Sequence, residues 1–61
     1  MKMTVKNQFG DFVTLEVKEV HFFREPRLAS YLDGQQISVA KNLEDLHHLS
    51  QERVSKLGLS D

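Results

Sequence analysis

The alternation of apolar and polar residues near the N-terminus constrains this sequence more than any other feature. Met3 and Val5 alternate with polar neighbours, and the same pattern resumes over 13–17. Successive residues of a strand point to opposite faces of a sheet, so a period of two predicts two strands with one buried face. Gly10 lies between the two runs and supplies the backbone freedom of a turn.

The register of this first hairpin follows from matching the apolar residues on one face. Cross-strand partners share a face, so the sequence predicts that Val5 pairs with Leu15 and Met3 with Val17. This pairing leaves 9–11 as a three-residue turn. The helix-free face of the hairpin then carries the polar partners of both strands.

The strongest turn signal in the sequence is Asp33-Gly34, because a type I′ turn needs positive φ at both central residues. A turn centred there predicts a second hairpin with strands over 27–32 and 35–40. The alternative is a short helix that begins at Pro26 and ends at Gly34. The sequence leaves both alternatives open.

Two further expectations concern the phase of these strands. The alternation breaks at Lys18-Glu19, where a β-bulge is the simplest explanation. In the second hairpin, the central turn places Leu28 opposite Val39 on the buried face.

Residues 43–57 predict an amphipathic helix. Asn42 is suited to cap its N-terminus, and Gly58 is suited to end it in a left-handed conformation. At 3.6 residues per turn, one face carries a largely apolar stripe. The stripe consists of Leu43, Leu46, Ser50, Val54 and Leu57.

These elements predict one small α+β domain over residues 1–61, in which a small antiparallel sheet packs on one face against a C-terminal helix. The sheet consists of two hairpins, with about four strands in total. The expected strands are 2–8, 12–24, 27–32 and 35–40, and the expected helix is 43–57.

Composition narrows the classes of function. The 61 residues contain no cysteine, which excludes disulfides and thiolate zinc sites. No Gly-x-Ser-x-Gly turn and no glycine-rich phosphate loop is present, so we expect a non-enzymatic protein without a cofactor. We also expect a cytoplasmic protein, because no long apolar run or signal peptide is visible. Its size is typical of bacterial or phage accessory proteins.

The aromatic residues suggest the leading functional hypothesis. By strand parity, Phe12, Tyr31 and one of the neighbours Phe22 and Phe23 point away from the helix. Exposed apolar surface commonly marks an interface. The sequence therefore predicts a small binding or regulatory protein that uses this face for protein–protein contacts, with a homodimer as one form of such contact.

Nucleic-acid binding is the first alternative. Arg24, Arg27 and Lys41 are the basic residues that a loop or β-ribbon would present to phosphates. The net charge of -1 argues against a general attraction to nucleic acid. We therefore rank this alternative below protein–protein contact.

Metal binding is the second alternative. Glu44, His48 and Glu52 are spaced at i, i+4 and i+8 along one helical face. The same spacing is typical of a solvated helix face, and a zinc site needs three or four ligands with supporting partners. We predict no metal site.

One stretch carries a partial resemblance. The residues Leu49-Ser50-Gln51-Glu52-Arg53-Val54-Ser55-Lys56-Leu57-Gly58-Leu59-Ser60 resemble the first helix and turn of the helix-turn-helix of phage-repressor-like DNA-binding proteins. In that family a recognition helix follows the turn and enters the major groove, whereas only Asp61 follows here. The alternative is that the stretch is the second half of the amphipathic helix that begins near Asn42.

Overall fold

The computed structural model describes residues 1–57, which form four strands and one helix. The elements are β1 (Lys2–Lys6), β2 (Phe12–Phe22), β3 (Glu25–Leu32), β4 (Gln35–Ala40) and α1 (Leu43–Lys56). The strands form one antiparallel sheet in the order β1-β2-β3-β4, and α1 packs on one face of it. The predicted α+β class is confirmed.

The first hairpin has a different register from the predicted one. Val5 pairs with Val13 and Met3 pairs with Leu15. The predicted pairs of Val5 with Leu15 and of Met3 with Val17 are therefore wrong by two residues. A shift of two keeps every side chain on its face, so the buried face is the predicted one.

The turn between β1 and β2 explains this shift. Asn7 donates its amide to the Asp11 carbonyl oxygen at 2.9 Å, and its side-chain oxygen accepts from the Asp11 amide at 3.0 Å. These bonds join the two residues as the last pair and leave 8–10 as the turn instead of 9–11. Gly10 adopts φ of 81° there, a conformation that glycine reaches without strain.

The predicted bulge at Lys18-Glu19 is wrong. β2 pairs with β3 in one unbroken register over 16–22. The apolar pattern changes after Val17 because the far half of β2 extends past the part of the sheet that α1 covers. Glu19 lies on the helix side of the strand and is exposed there.

The second hairpin forms as a hairpin, which excludes the alternative of a short helix. Asp33 and Gly34 have φ of 51° and 80°, as a two-residue turn requires. The register then shifts within the β3–β4 pair, so Leu28 lies opposite Ala40 and not opposite Val39 as predicted. The irregularity gives Ala40 the core position and places Val39 on the other face.

The core between sheet and helix is thin. It consists of two small clusters of buried side chains with half-buried neighbours around them. The buried members are Val5, Leu15 and Val54 in one cluster and Val17, Ala40 and Leu46 in the other. Ser30 and Ser50 add a buried polar contact between β3 and α1, with their hydroxyl oxygens 2.7 Å apart.

Helix α1 begins at the predicted cap and runs without interruption. The Asn42 side-chain oxygen accepts from the Asp45 amide at 2.8 Å. No new helix begins at Leu49, so residues 49–56 of the stretch that resembles a helix-turn-helix are the second half of α1. The predicted terminator Gly58 lies outside the described residues.

Candidate interaction surfaces

The four aromatic residues of the predicted interface do not form one patch. Phe12 and Phe22 occupy opposite ends of β2, which separates them by about 33 Å at the usual strand rise. Tyr31 lies between them, opposite Glu16. Phe22 and Phe23 are adjacent at the end of the β2–β3 hairpin, so the structure brings two of the four together.

Lysine side chains lie over two of these rings. The Lys6 ammonium nitrogen is 5.3 Å from the centre of the Phe12 ring, and that of Lys18 is 5.4 Å from the centre of the Tyr31 ring. These distances are typical of cation–π contacts. The middle of the helix-free face is therefore a mixture of charge and aromatic surface, and not a continuous apolar patch.

The end of the β2–β3 hairpin, residues 22–24, is termed the hairpin tip below. Phe23 and Arg24 form its two-residue turn with φ of 50° and 70°. Such turns favour glycine, which has no Cβ, and asparagine, whose short polar side chain tolerates the left-handed region, whereas most other residues are strained there. The Phe23 side chain is 99% exposed and Phe22 is 45% exposed. A strained backbone thus holds exposed aromatic surface at a protruding position.

The three basic residues of the nucleic-acid alternative have different surroundings. Arg24 lies in the hairpin tip and takes part in no ion pair within residues 1–57. Arg27 forms an ion pair and hydrogen bond with Glu25. Lys41 and Arg27 line one shallow depression together with Glu19, so neighbouring carboxylates offset part of their charge.

The strand pairing places more basic than acidic residues on the helix-free face. Its four basic and two acidic side chains give a local net charge of +2, although the whole chain carries -1. These side chains are Lys2, Lys6, Lys18 and Arg27 against Glu16 and Glu25. The net charge of the whole chain conceals this asymmetry, because the remaining acidic residues within 1–57 lie on other surfaces.

The carboxylates and histidine of the metal alternative lie on the exposed side of α1. His48 Nε2 is 3.3 Å from a Glu52 carboxylate oxygen, as an i,i+4 pair on a solvated helix. In the part of the chain that the structure describes, no group of three or more histidine, aspartate or glutamate side chains is arranged to hold a metal ion.

The outer edge of β1 is termed the closed edge, because side chains from α1 cover it. The Lys6 amide donates to Gln51 Oε1 at 2.9 Å, and Gln51 Nε2 donates to the Lys6 carbonyl oxygen. His47 Nε2 lies 3.1 Å from the Thr4 carbonyl oxygen, within hydrogen-bond distance. A side-chain amide thus makes the two bonds that a neighbouring strand would make.

The outer edge of β4 is termed the open edge. Among residues 1–57, no side chain forms a hydrogen bond with the backbone of β4. The strand reads Gln-Gln-Ile-Ser-Val-Ala, with neither charge nor proline. The sequence analysis missed both edges, because only the packing of α1 decides which edge its polar side chains reach.

Comparison with known proteins adds no relative. No protein-family model matches the sequence, and neither a curated protein nor a solved structure matches it. No helix within residues 1–57 has the length and apolar character needed to cross a membrane. Functional inference therefore rests on the surfaces described above.

Proposed function

We propose that this chain is a small non-enzymatic binding or regulatory domain that docks on a partner protein through its hairpin tip. The observation that carries the proposal is the Phe23 side chain, 99% exposed on a turn with positive φ at both residues. Positive φ outside glycine is uncommon and concentrates at functional positions. Exposed aromatic residues are also enriched at the centres of protein interfaces.

The chemistry of the hairpin tip specifies the partner. Phe22 and Phe23 supply two apolar rings, and Arg24 supplies a guanidinium group that forms no ion pair within residues 1–57. The complementary surface is an apolar pocket bordered by a carboxylate, because aromatic anchors fill pockets and arginine binds carboxylates through two hydrogen bonds. Docking by a hairpin tip leaves the sheet and core unchanged.

The first test uses a photo-crosslinking amino acid, p-benzoyl-phenylalanine, in place of Phe23 in the cells that carry the sequence. The matched control places the same group at Phe12, which is 73% exposed at the far end of β2. The proposal predicts a discrete covalent adduct from position 23 that position 12 does not give. Equal adducts from both positions, or none from position 23, would contradict it.

A second variant separates binding from folding. Replacing Phe23-Arg24 with Asn-Gly gives the turn the residues that positive φ favours, and we expect it to stabilise the fold by about 1–2 kcal/mol. The same variant removes the aromatic and basic groups of the hairpin tip. Higher thermal stability together with loss of binding to the protein identified by crosslinking supports the proposal, whereas retained binding to that protein would contradict it.

The local charge of the helix-free face supports a second candidate function, single-stranded nucleic-acid binding. Lysines beside accessible aromatic rings form a surface on which bases stack while cations contact phosphates. Phe12 with Lys6 and Tyr31 with Lys18 provide two such pairs. Neither pair belongs to the hairpin tip, so the two candidate functions use different residues.

Fluorescence anisotropy with labelled oligonucleotides tests this second candidate. It predicts binding to single-stranded oligonucleotides that weakens as salt rises and is reduced by Lys18→Glu. The control is Phe23→Ser, which leaves the helix-free face intact. Absence of salt-dependent binding to single-stranded and duplex oligonucleotides removes the candidate.

A further inference from the structure

The open edge presents backbone groups that the fold does not use. Leu32 and Gln35 flank the two-residue turn and therefore form a hydrogen-bonded pair. The next pair, Tyr31 and Gln36, is then a non-hydrogen-bonded pair, because the two kinds alternate along an antiparallel ladder. The amide and carbonyl groups of Gln36 consequently point outward from the sheet.

The open edge lacks most of the features that normally keep sheet edges apart, namely charge, proline and a covering side chain. Proteins protect such edges with charged residues, proline, bulges that turn the strand away, or covering side chains. β4 contains a register irregularity next to Ser30, but it contains no charged residue and no proline. No covering hydrogen bond reaches its backbone from residues 1–57. The strand is therefore available for further pairing.

Exposed leucines lie beside the open edge. His47 and Gln51 define the flank of α1 that faces β1. Leu49 lies on the opposite flank and is 39% exposed, while Leu57, which is 50% exposed, borders the groove lined by Gln36. This flank also carries Arg53, which lines the same groove as Gln36. The unpaired backbone of β4 supplies hydrogen bonds for an interface, and Leu49 and Leu57 supply apolar area beside it.

We propose that the open edge pairs with the open edge of a second copy, in the antiparallel direction. This arrangement joins the two sheets into one of eight strands around a two-fold axis perpendicular to the sheet. Both helices then lie on the same face, with their leucine-bearing flanks toward each other. The hairpin tips remain free, so the inference is independent of the docking proposed above.

The charges at the two ends of β4 favour a second copy of the chain as the partner, paired in the antiparallel direction. Asp33 lies just before the strand and Lys41 just after it. Antiparallel pairing places the Asp33 end of one copy near the Lys41 end of the other, whereas parallel pairing brings like charges together. Between these ends the strand itself carries no charge. The cation beside it is Arg53 of α1, which lines the groove at the Asp33 end.

The test is the solution mass by light scattering after size exclusion, over a concentration series of the full chain. The main variant is Gln36→Pro, which removes an outward amide without breaking a bond between β3 and β4. The matched control is Thr4→Pro in β1. The Thr4 amide of the wild-type chain also points outward, because Met1, Asn7 and the alternate residues between them bond to β2.

We expect the wild-type chain to form a reversible dimer and Gln36→Pro to raise its dissociation constant at least about tenfold, since each dimer loses two interchain hydrogen bonds. Thr4→Pro should leave the constant unchanged. Gln36→Lys provides a second variant in case the proline disturbs folding, and it should weaken the dimer through like-charge repulsion. Circular dichroism checks the fold of each variant.

Three results would overturn the proposal. The first is a wild-type chain that stays monomeric at every concentration. The same holds if the Gln36 amide of that monomer is protected from exchange only when an unrelated extended peptide is added, because the edge then pairs with a peptide and not with a second copy. The second is a dimer whose dissociation constant in Gln36→Pro and in Gln36→Lys is unchanged from that of the wild-type chain. The third is a dimer that Phe23→Ser dissociates, which would assign self-association to the hairpin tip.

Discussion

The closed and open edges of the same sheet solve the problem of unpaired backbone in different ways. At the closed edge, Gln51 bonds both the amide and the carbonyl of Lys6, and His47 contacts the Thr4 carbonyl. At the open edge, within residues 1–57, no side chain forms a hydrogen bond with the backbone of β4. One helix therefore closes one edge and leaves the other available, although it packs against both edge strands.

The composition of the two strands follows the same division. β1 carries Lys2 and Lys6 within its five residues, whereas β4 carries no charge in six. Charged residues discourage edge-to-edge pairing, and uncharged edges permit it. Two features therefore decide which edge of the sheet remains available for pairing. They are the charge of the edge strand and the side of the sheet to which α1 directs its polar flank.

The largest expected effect comes from removing the anchor that holds α1 above the sheet. Leu46 is fully buried in the core cluster with Val17 and Ala40. Leu46→Ala should destabilise the fold by about 2–5 kcal/mol through lost contacts and the resulting cavity. Urea denaturation followed by circular dichroism measures this change. Because the domain is small and the closed edge depends on the helix, we expect partial unfolding and exposure of β1.

The matched control is Leu49→Ala on the same helix, whose side chain is 39% exposed. It should change the free energy of unfolding by about 0.5 kcal/mol or less in the monomer. Equal losses from the two substitutions would contradict the assigned position of the core.

A smaller effect is expected from opening the closed edge directly. Gln51→Ala removes both hydrogen bonds to Lys6 and should cost about 1–2 kcal/mol of folding free energy. The Lys6 amide should also exchange faster with solvent, as measured by NMR. Gln51→Glu is the control, because its carboxylate keeps the acceptor for the amide and loses only the donor to the carbonyl. If Lys6 stays protected in Gln51→Ala, the edge is not closed by this residue.

The smallest effect concerns His47, which reaches one carbonyl group of β1. His47→Ala should destabilise the fold by about 0.5–1 kcal/mol, because one partly exposed hydrogen bond is lost. Thermal unfolding measures the loss. His48→Ala is the comparison, since His48 lies on the solvated side of α1 and pairs only with Glu52 among residues 1–57. A larger loss from His48→Ala would contradict the described helix orientation.

The sequence predicted the order of the elements because each carries a strong local signal. The alternation around Met3 and Leu15, the Asp33-Gly34 turn and the Asn42 cap all act over a few residues. These signals determine which face of β1, β2 and α1 is buried, whereas in β4 the register irregularity moves Val39 to the other face. The α+β class follows from them without knowledge of the packing.

Register was predicted less well, because hydrophobic pattern alone does not distinguish pairings that differ by two residues. The bonds of Asn7 across its turn decide the first hairpin, and an irregularity near Ser30 decides the second. The apolar pattern also suggested a bulge at Lys18-Glu19, although the change there reflects where helix coverage ends.

The candidate sites depended most on three-dimensional arrangement. Sequence parity assigned Phe12 and Tyr31 to the helix-free face, as the structure has them, but it placed Val39 on the wrong face. The predicted strand 12–24 already implied a separation of about 33 Å between Phe12 and Phe22, which the hypothesis of one aromatic patch did not take into account. The strain at Phe23 and Arg24 is a backbone property that no side-chain pattern signals. The reach of Gln51 to Lys6 joins residues 45 positions apart and has no sequence signature.

The difference between the two edges is tested most directly by hydrogen exchange of the Lys6 and Gln36 amides, measured by NMR over a concentration series. The account predicts that Lys6 is protected at every concentration, whereas Gln36 exchanges rapidly in dilute solution and more slowly as the dimer forms. Equal protection of both amides in dilute solution, or rapid exchange of Lys6, would contradict it.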